Sequence, residues 1–220
     1  MQSKPTLRVA CAIAALTLIS LMSMTCGSSS HNNVSQAQAQ AISAQLFSAL
    51  NSAMVAGLPP VAASTGTRPS LGESLERARA QAQAQASGCT VTSSGQSCNF
   101  PISYQGPCPG GGTMNVAGDI VYMLDNSGNG SDSSTLMVTP SSCVVDNLTI
   151  NGDPNVTFAT QFDLKNNALA FPLTFSGMGG ISFGPNPAGS CSIDVKATVA
   201  SPTACTVSGS ICGRSISGNC

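Results

Sequence analysis

The chain has 220 residues, only 8% of them charged, with eight basic and nine acidic side chains and a formal net charge of −1. Without a basic patch to neutralise phosphates, the composition excludes a nucleic-acid binder. With no Trp and only two Tyr, it also offers almost no aromatic platform for stacking bases or sugars.

The chain opens with a segment of leader character. Lys4 and Arg8 make a positive start, followed by an apolar run from Val9 to Met24. As a helix those sixteen residues reach about 24 Å, short of a ~30 Å hydrocarbon core, so the run reads as a cleaved signal sequence rather than a membrane span. Without Lys4 and Arg8, six basic side chains face nine acidic ones, an imbalance too mild to specify a partner. The junction around Leu21, Cys26 and Ser30 (LMSMTCGSSS) resembles a bacterial lipoprotein leader. That resemblance implies cleavage before Cys26, lipidation of Cys26 and anchoring to a membrane in the cell envelope. The Gly-Ser run behind Cys26 suits a tether. The organisation expected is a signal peptide (1–25), a tether (26–34), a helical segment (35–87) and a disulfide-rich β domain (88–220).

From Ser35 to Val55, Ile42, Leu46, Leu50 and Met54 recur every four residues beside Phe47, which predicts an amphipathic helix. Ser35 is placed to cap it, and Gly57 with Pro59-Pro60 to end it. A linker over 61–69 precedes a second helix, opened by the capping-box spacing of Ser70 and Glu73 and running through Leu75 and Ala78 to Ala86. Glu73 and Arg77 have the spacing of a surface i,i+4 pair. A Gln-Ala tract occurs twice, at 36–41 and 81–86; it favours helix but builds no apolar face.

From Cys89 onward Gly, Asn, Ser and Pro punctuate short alternating runs, with strands predicted at 89–93, 98–104, 112–124, 134–139, 143–151, 155–164, 168–176, 180–184, 190–200, 204–208 and 211–216. The centre is a hairpin. Val156, Phe158, Thr160, Phe162 and Leu164 share one face of its first arm, and Leu169, Phe171, Leu173 and Phe175 one face of its second. Its turn is Lys165-Asn166-Asn167, where Asn tolerates a left-handed backbone. Met114, Val116, Ile120, Tyr122 and Leu124 share one parity, as do Cys191, Ile193, Val195, Ala197 and Val199. Period two means an antiparallel sheet with one apolar face. The fold class is therefore α+β, mainly β: an N-terminal helix or helices packed on a disulfide-stapled antiparallel meander, as a sandwich or a curved half-barrel.

Of ten cysteines, Cys11 and Cys26 belong to the leader region. The other eight, Cys89, Cys98, Cys108, Cys143, Cys191, Cys205, Cys212 and Cys220, form an even set behind a secretory leader, which reads as a disulfide framework. Hairpin arithmetic favours two pairings. A turn at Ser93-Ser94 sets Cys89 opposite Cys98, and a turn at Ser208-Gly209 sets Cys205 opposite Cys212. Cys191, with inward parity, is placed for a longer-range bridge.

Catalytic chemistry finds little material. The one histidine, His31, lies in the tether, so a Ser-His or Cys-His nucleophile has no imidazole in the folded region. Lys165 and Lys196 fall on a turn and a polar face, and Asp119, Asp125, Asp132, Asp146, Asp153, Asp163 and Asp194 on loops and polar faces. Asp125, Ser127, Asn129 and Asp132 carry the spacing of an oxygen-ligand calcium loop, but Leu136 stands where its bidentate glutamate belongs. The glycine-rich run from Cys108 to Thr113 lacks the lysine and helix of a phosphate loop. No cofactor is implied. The reading is an exported, non-catalytic envelope lipoprotein of structural or surface-interaction type, its partners the membrane and an envelope protein. The alternative is a carrier holding a hydrophobic ligand, such as a lipid, between helix and sheet. In element order alone the chain is similar to the half-barrel lipid and lipoprotein carriers of bacterial envelopes.

Overall fold

The computed structural model describes residues 34–56, 70–77 except 75, and 89–220 except 133, 153–154, 167 and 185–187. The signal peptide, Cys26, His31, the helix stop at Gly57 and Pro59-Pro60, the 61–69 linker and the second Gln-Ala tract lie outside the described residues, as does Asp153.

One long helix, α1 (Gln36–Ala56), begins where the sequence places its cap. The Ser35 hydroxyl accepts from the Gln38 N–H at 3.1 Å, and the Gln38 side-chain oxygen accepts from the Ser35 N–H at 2.9 Å. This reciprocal pair satisfies two donors that a helix start leaves free. Ile42, Leu46, Leu50 and Met54 are completely buried, with Phe47 beside them. A short helical turn at 71–74 carries the second capping box, with Ser70 N–H donating to Glu73 Oε2 and Glu73 N–H to Ser70 Oγ. It is tied to α1 by Ser74 Oγ donating to Asn51 Oδ1 at 2.7 Å, and it packs so closely on Pro202 that a Cβ at Gly72 would lie 2.7 Å from the Pro202 carbonyl oxygen.

The strands are β1 (Cys89–Thr92), β2 (Gly95–Pro107), β3 (Thr113–Asp125), β4 (Gly130–Asp132), β5 (Ser134–Ser141), β6 (Cys143–Val145), β7 (Leu148–Asn151), β8 (Val156–Lys165), β9 (Ala168–Phe183), β10 (Gly189–Ser201), β11 (Ala204–Ile211) and β12 (Arg214–Asn219). They form one antiparallel sheet in the order β1-β2-β3-β4-β8-β9-β10-β11-β12. β5 pairs with the same two neighbours as β4, so the two act as one interrupted strand, and the β6–β7 hairpin joins the end of β9. The inward parities are those of the sequence: Val156, Phe158 and Leu164 are buried in β8, Leu173 and Phe175 in β9, Ile193 to Val199 at alternate positions in β10.

Strand boundaries differ from expectation in several places: β4 has no predicted counterpart, β11 and β12 each end three residues later than predicted, and others change for local reasons. The predicted 168–176 and 180–184 strands are one, because Gly177 and Gly179 continue the β8–β9 ladder instead of breaking it. The predicted 143–151 strand is a hairpin, since Asp146 and Asn147 adopt φ of 46° and 60°, the left-handed pair of a tight two-residue turn. The glycine-rich run is the β2–β3 connection, and it also adds to β6: Val144 N–H donates to the Gly111 carbonyl, and Gly110 N–H to that of Val144.

The sheet must be curved. From β2 to β12 it counts seven strand spacings, about 34 Å if flat at ~4.8 Å each. Yet the same turns of α1, a cylinder about 10–12 Å across, face β2 and β3 through Gln45 and Ser48 and face β11 and β12 through Ala44 and Phe47. Both conditions hold only if the sheet wraps round the helix, giving the curved half-barrel rather than the sandwich.

Inside, the Phe47 ring of α1 meets Phe158 of β8 edge-on at 5.5 Å between centroids. Phe158 in turn covers Gly177, where a Cβ would lie 2.4 Å from its ring. Helix, aromatic ring and glycine form a stack across the core.

Among the described residues there are four disulfides: Cys89–Cys98, Cys108–Cys143, Cys191–Cys212 and Cys205–Cys220. They mark a chain that folds in an oxidising, exported environment. The first follows the hairpin arithmetic, with Cys89 directly opposite Cys98. The expected Cys205–Cys212 pairing is incorrect. Ser208-Gly209 is no turn but mid-strand, where Gly209 lets β11 approach the Asp194 carbonyl; the turn is Cys212-Gly213, with φ of 54° and 73°. Cys212 therefore reaches Cys191 across the sheet, and Cys205 takes Cys220.

Phe158→Ala is expected to cost about 3–5 kcal/mol, and Gly177→Ala about 1–3 kcal/mol by pressing the ring into α1. Urea unfolding with the bridges intact measures both. Wild-type stability in either variant would mean that the stack does not support the core.

Candidate functional site

Because α1 stands between two sheet edges, its flanks create two seams. On one side a cleft of about 260 Å³ separates Gln45, Ser48 and Ser52 of α1 from Tyr104 and Pro107 of β2 and Met114 of β3. On the other, a groove of about 140 Å³ runs between Gln40, Ser43 and Phe47 and the β11–β12 pair, with Val207, Ile216 and Asn219 on its sheet side. Among the described residues no charged side chain lines either seam.

The N-terminal end of α1 is clasped to the β12 side. Arg214 Nε donates to the Val34 carbonyl at 3.0 Å, and Gln36 Nε2 donates to the Ser215 carbonyl. Gln38 Nε2 reaches the Asp146 carbonyl in the β6–β7 turn at 3.3 Å. Further along, the helix leaves the groove beside Ser217, Gly218 and Asn219. Ser43 Oγ borders that groove, is buried, and has no hydrogen-bond partner among the described residues.

The predicted calcium-loop residues are not brought together. Asp125 and Asn129 close the β3–β4 turn: Asp125 Oδ1 accepts the N–H groups of Ser127 and Asn129, both at 2.8 Å, and Gly128 has a φ of 77°. Asp132 points the other way, into the sheet interior. Its carboxylate there accepts from the hydroxyls of Ser134 and Thr160. Among the described residues no three His, Cys, Asp or Glu side chains gather in a metal-binding arrangement.

The placement of Asp132 corrects the expectation that every aspartate sits on a loop or polar face. Asp119, Asp146, Asp163 and Asp194 are indeed exposed, on separate strands and turns, as are Lys165 and Lys196. A buried carboxylate needs polar partners, and the signal for it was Thr160, a hydroxyl at an inward parity among phenylalanines. Ser134, which also accepts from the Val121 N–H at 2.9 Å, holds the same parity in β5.

Among the described residues no helix is long and apolar enough to cross a membrane. No protein-family profile matches the chain, and neither the curated proteins nor the solved structures contain a significant match.

The backbone N–H of Asn129 holds the Asp125 carboxyl below its ordinary value; desolvation opposes it, and the N–H groups of Ser127 and Gly128 and the Asn129 amide add smaller lowering effects. A depressed folded-state pKa means that the group's contribution is complete above the unfolded value of ~3.9 and is lost as pH falls through the folded one. The amide resonances of Ser127 and Asn129 should therefore titrate together at a midpoint under ~3.9 and stay flat in Asp125→Asn. A midpoint at or above that value would show that the turn does not hold the charge.

Proposed function

We propose that this chain is an exported envelope protein of structural or surface-interaction type, anchored through a lipid on Cys26 and without catalytic activity of its own. The observation that supports it best is that the concave face of the sheet is occupied by the chain's own helix. Ile42, Leu46, Leu50 and Met54 have no residual exposure. They fill the position that a carrier would give to its ligand, so the alternative requires α1 to leave a seat where it is capped and clasped. The exposed aspartates stand on separate strands and turns, which is not the converging pair that carboxylate hydrolysis uses. The disulfides fit an exported protein that withstands exposure, each contributing about 2–4 kcal/mol chiefly by restricting the unfolded chain.

Native mass spectrometry on a chain beginning at Gly27, purified from an oxidising compartment, tests the core reading. The expected mass is that of the bare polypeptide less eight hydrogens, one pair for each of the four bridges. A lipid-sized adduct released on denaturation would establish the carrier instead. For the anchor, the full chain should fractionate with membranes and Cys26→Ser should not; equal membrane retention of both would remove lipidation at that residue.

A further inference from the structure

We infer that the free edge of β12, together with the groove over Gly218, accepts an extended, uncharged peptide segment as an added strand. The inference deepens the surface-interaction reading by naming the contact site and the chemistry of its partner.

The phase of the ladder identifies which backbone groups are free. The β11–β12 hairpin has a two-residue loop, Cys212-Gly213, flanked by the Ile211–Arg214 pair. In such a hairpin the flanking pair is hydrogen-bonded, and bonded pairs then alternate along the strands. Arg214, Ile216, Gly218 and Cys220 thus bond inward to β11, in agreement with the Cys220 N–H donating to the Cys205 carbonyl at 3.2 Å. Ser215, Ser217 and Asn219 point outward, in agreement with Gln36 reaching the Ser215 carbonyl. Gln36 caps the first of these outward positions. Those of Ser217 and Asn219 face the groove and lie about 7 Å apart, the repeat of an extended partner.

The two edges of the sheet differ. Applied to β1–β2, where the two-residue loop Ser93-Ser94 lies between Thr92 and Gly95, the same phase turns Asn99, Pro101, Ser103, Gln105 and Pro107 outward beyond the reach of β1. Two of these five positions are prolines, which offer no N–H and protect an edge without losing ladder bonds. β12 has none.

The groove also offers a side-chain pocket. Gly218 falls on the inward parity, and a Cβ built there meets nothing within 4 Å. Beside that space lie the apolar surfaces of Phe47, Val207 and Ile216 and Ser43, a buried residue whose hydroxyl has no partner among the described residues. A strand laid along β12 would thus place one small aliphatic side chain over Gly218 and bring a polar group to Ser43. Backbone bonds would supply the affinity and the pocket the selectivity, as in other strand-addition complexes. No described side chain in the lining carries a charge, which favours an uncharged segment.

The test uses the full chain with Cys26→Ser and a capped Ser-Thr-Val-Thr-Val-Ser peptide as probe, followed by amide resonances. The expected response is shifts and exchange protection at Ser217 and Asn219, with Ser103 and Gln105 unchanged. Gly218→Val intrudes on the pocket from a position where a Cβ meets nothing within 4 Å, and Ser217→Pro removes one outward N–H without breaking a bond to β11. Each should keep the wild-type spectrum elsewhere and weaken binding about tenfold or more, and N-methylation of alternate probe amides should do the same. No response at about 1 mM probe, equal binding by either variant or by the N-methylated probe, or shifts on the β2 edge would overturn the proposal. Concentration-dependent self-association protecting Ser217 and Asn219 without peptide would replace the peptide with a second copy. A lipid adduct in the mass experiment would overturn the surface-interaction reading while leaving the β12 result to stand or fall by itself.

Discussion

An open sheet has two edges, and everything else in this fold follows from how they are covered. A closed barrel would have none. Here β2 and β12 stop short of one another, and α1 occupies the interval with its apolar stripe turned inward. The helix could not be seated this way on a flat sheet, because no flat sheet brings β2 and β12 to the same turns of one helix. Equally, a sheet so curved would expose its phenylalanines if the helix were absent. Curvature and helix therefore stabilise each other. The Phe47–Phe158–Gly177 stack is where that mutual dependence is most concentrated, since a side chain at position 177 would displace the ring against which α1 rests.

The disulfides fall where this arrangement is weakest. Edge strands are bonded on one side only and open most readily. Cys89–Cys98 fastens β1 to β2 at one edge; at the other, Cys205–Cys220 closes the open end of the last hairpin and Cys191–Cys212 ties its turn to β10. Cys108–Cys143 fixes the β2–β3 connection to the β6–β7 hairpin, against which Gln38 steadies the start of α1. The bridges hold the rims of the half-barrel, and apolar packing holds its middle. Asp132 is the exception within, a carboxylate accommodated because Ser134 and Thr160 supply hydroxyls on the same inward face.

The middle was legible in the sequence and most of the rims were not. Alternation at period two has one physical meaning on a half-buried sheet, so the inward sets of β8, β9 and β10 could be read directly, as could the stripe and the cap of α1. A hairpin with an unambiguous turn also has a readable register, which is why Cys89 and Cys98 could be paired. Cys205 failed because glycine has two uses. At Gly209 it permits close approach of a neighbouring strand, whereas the actual turn places Cys212 at a positive φ, a conformation its residue type seldom adopts. The seams could not be read at all. Whether Gly218 is a harmless gap or the floor of a groove depends on which strand ends the sheet and where a helix from the far end of the sequence comes to rest.

The scarcity of charge then takes on a specific meaning. The outer face of the sheet carries rows of hydroxyls, such as Thr174, Thr198 and Thr206 across β9, β10 and β11, beside the exposed Met123, Met137 and Met178. Threonine serves such a face twice, since its β-branch suits a strand and its hydroxyl suits water. A surface built this way exerts no long-range field, so it neither steers a partner in solution nor rejects one by charge. Recognition must come from shape and from exposed backbone. The places where this chain presents both are the seams beside α1, and of the two edges there, only β12 lacks prolines to bar a strand.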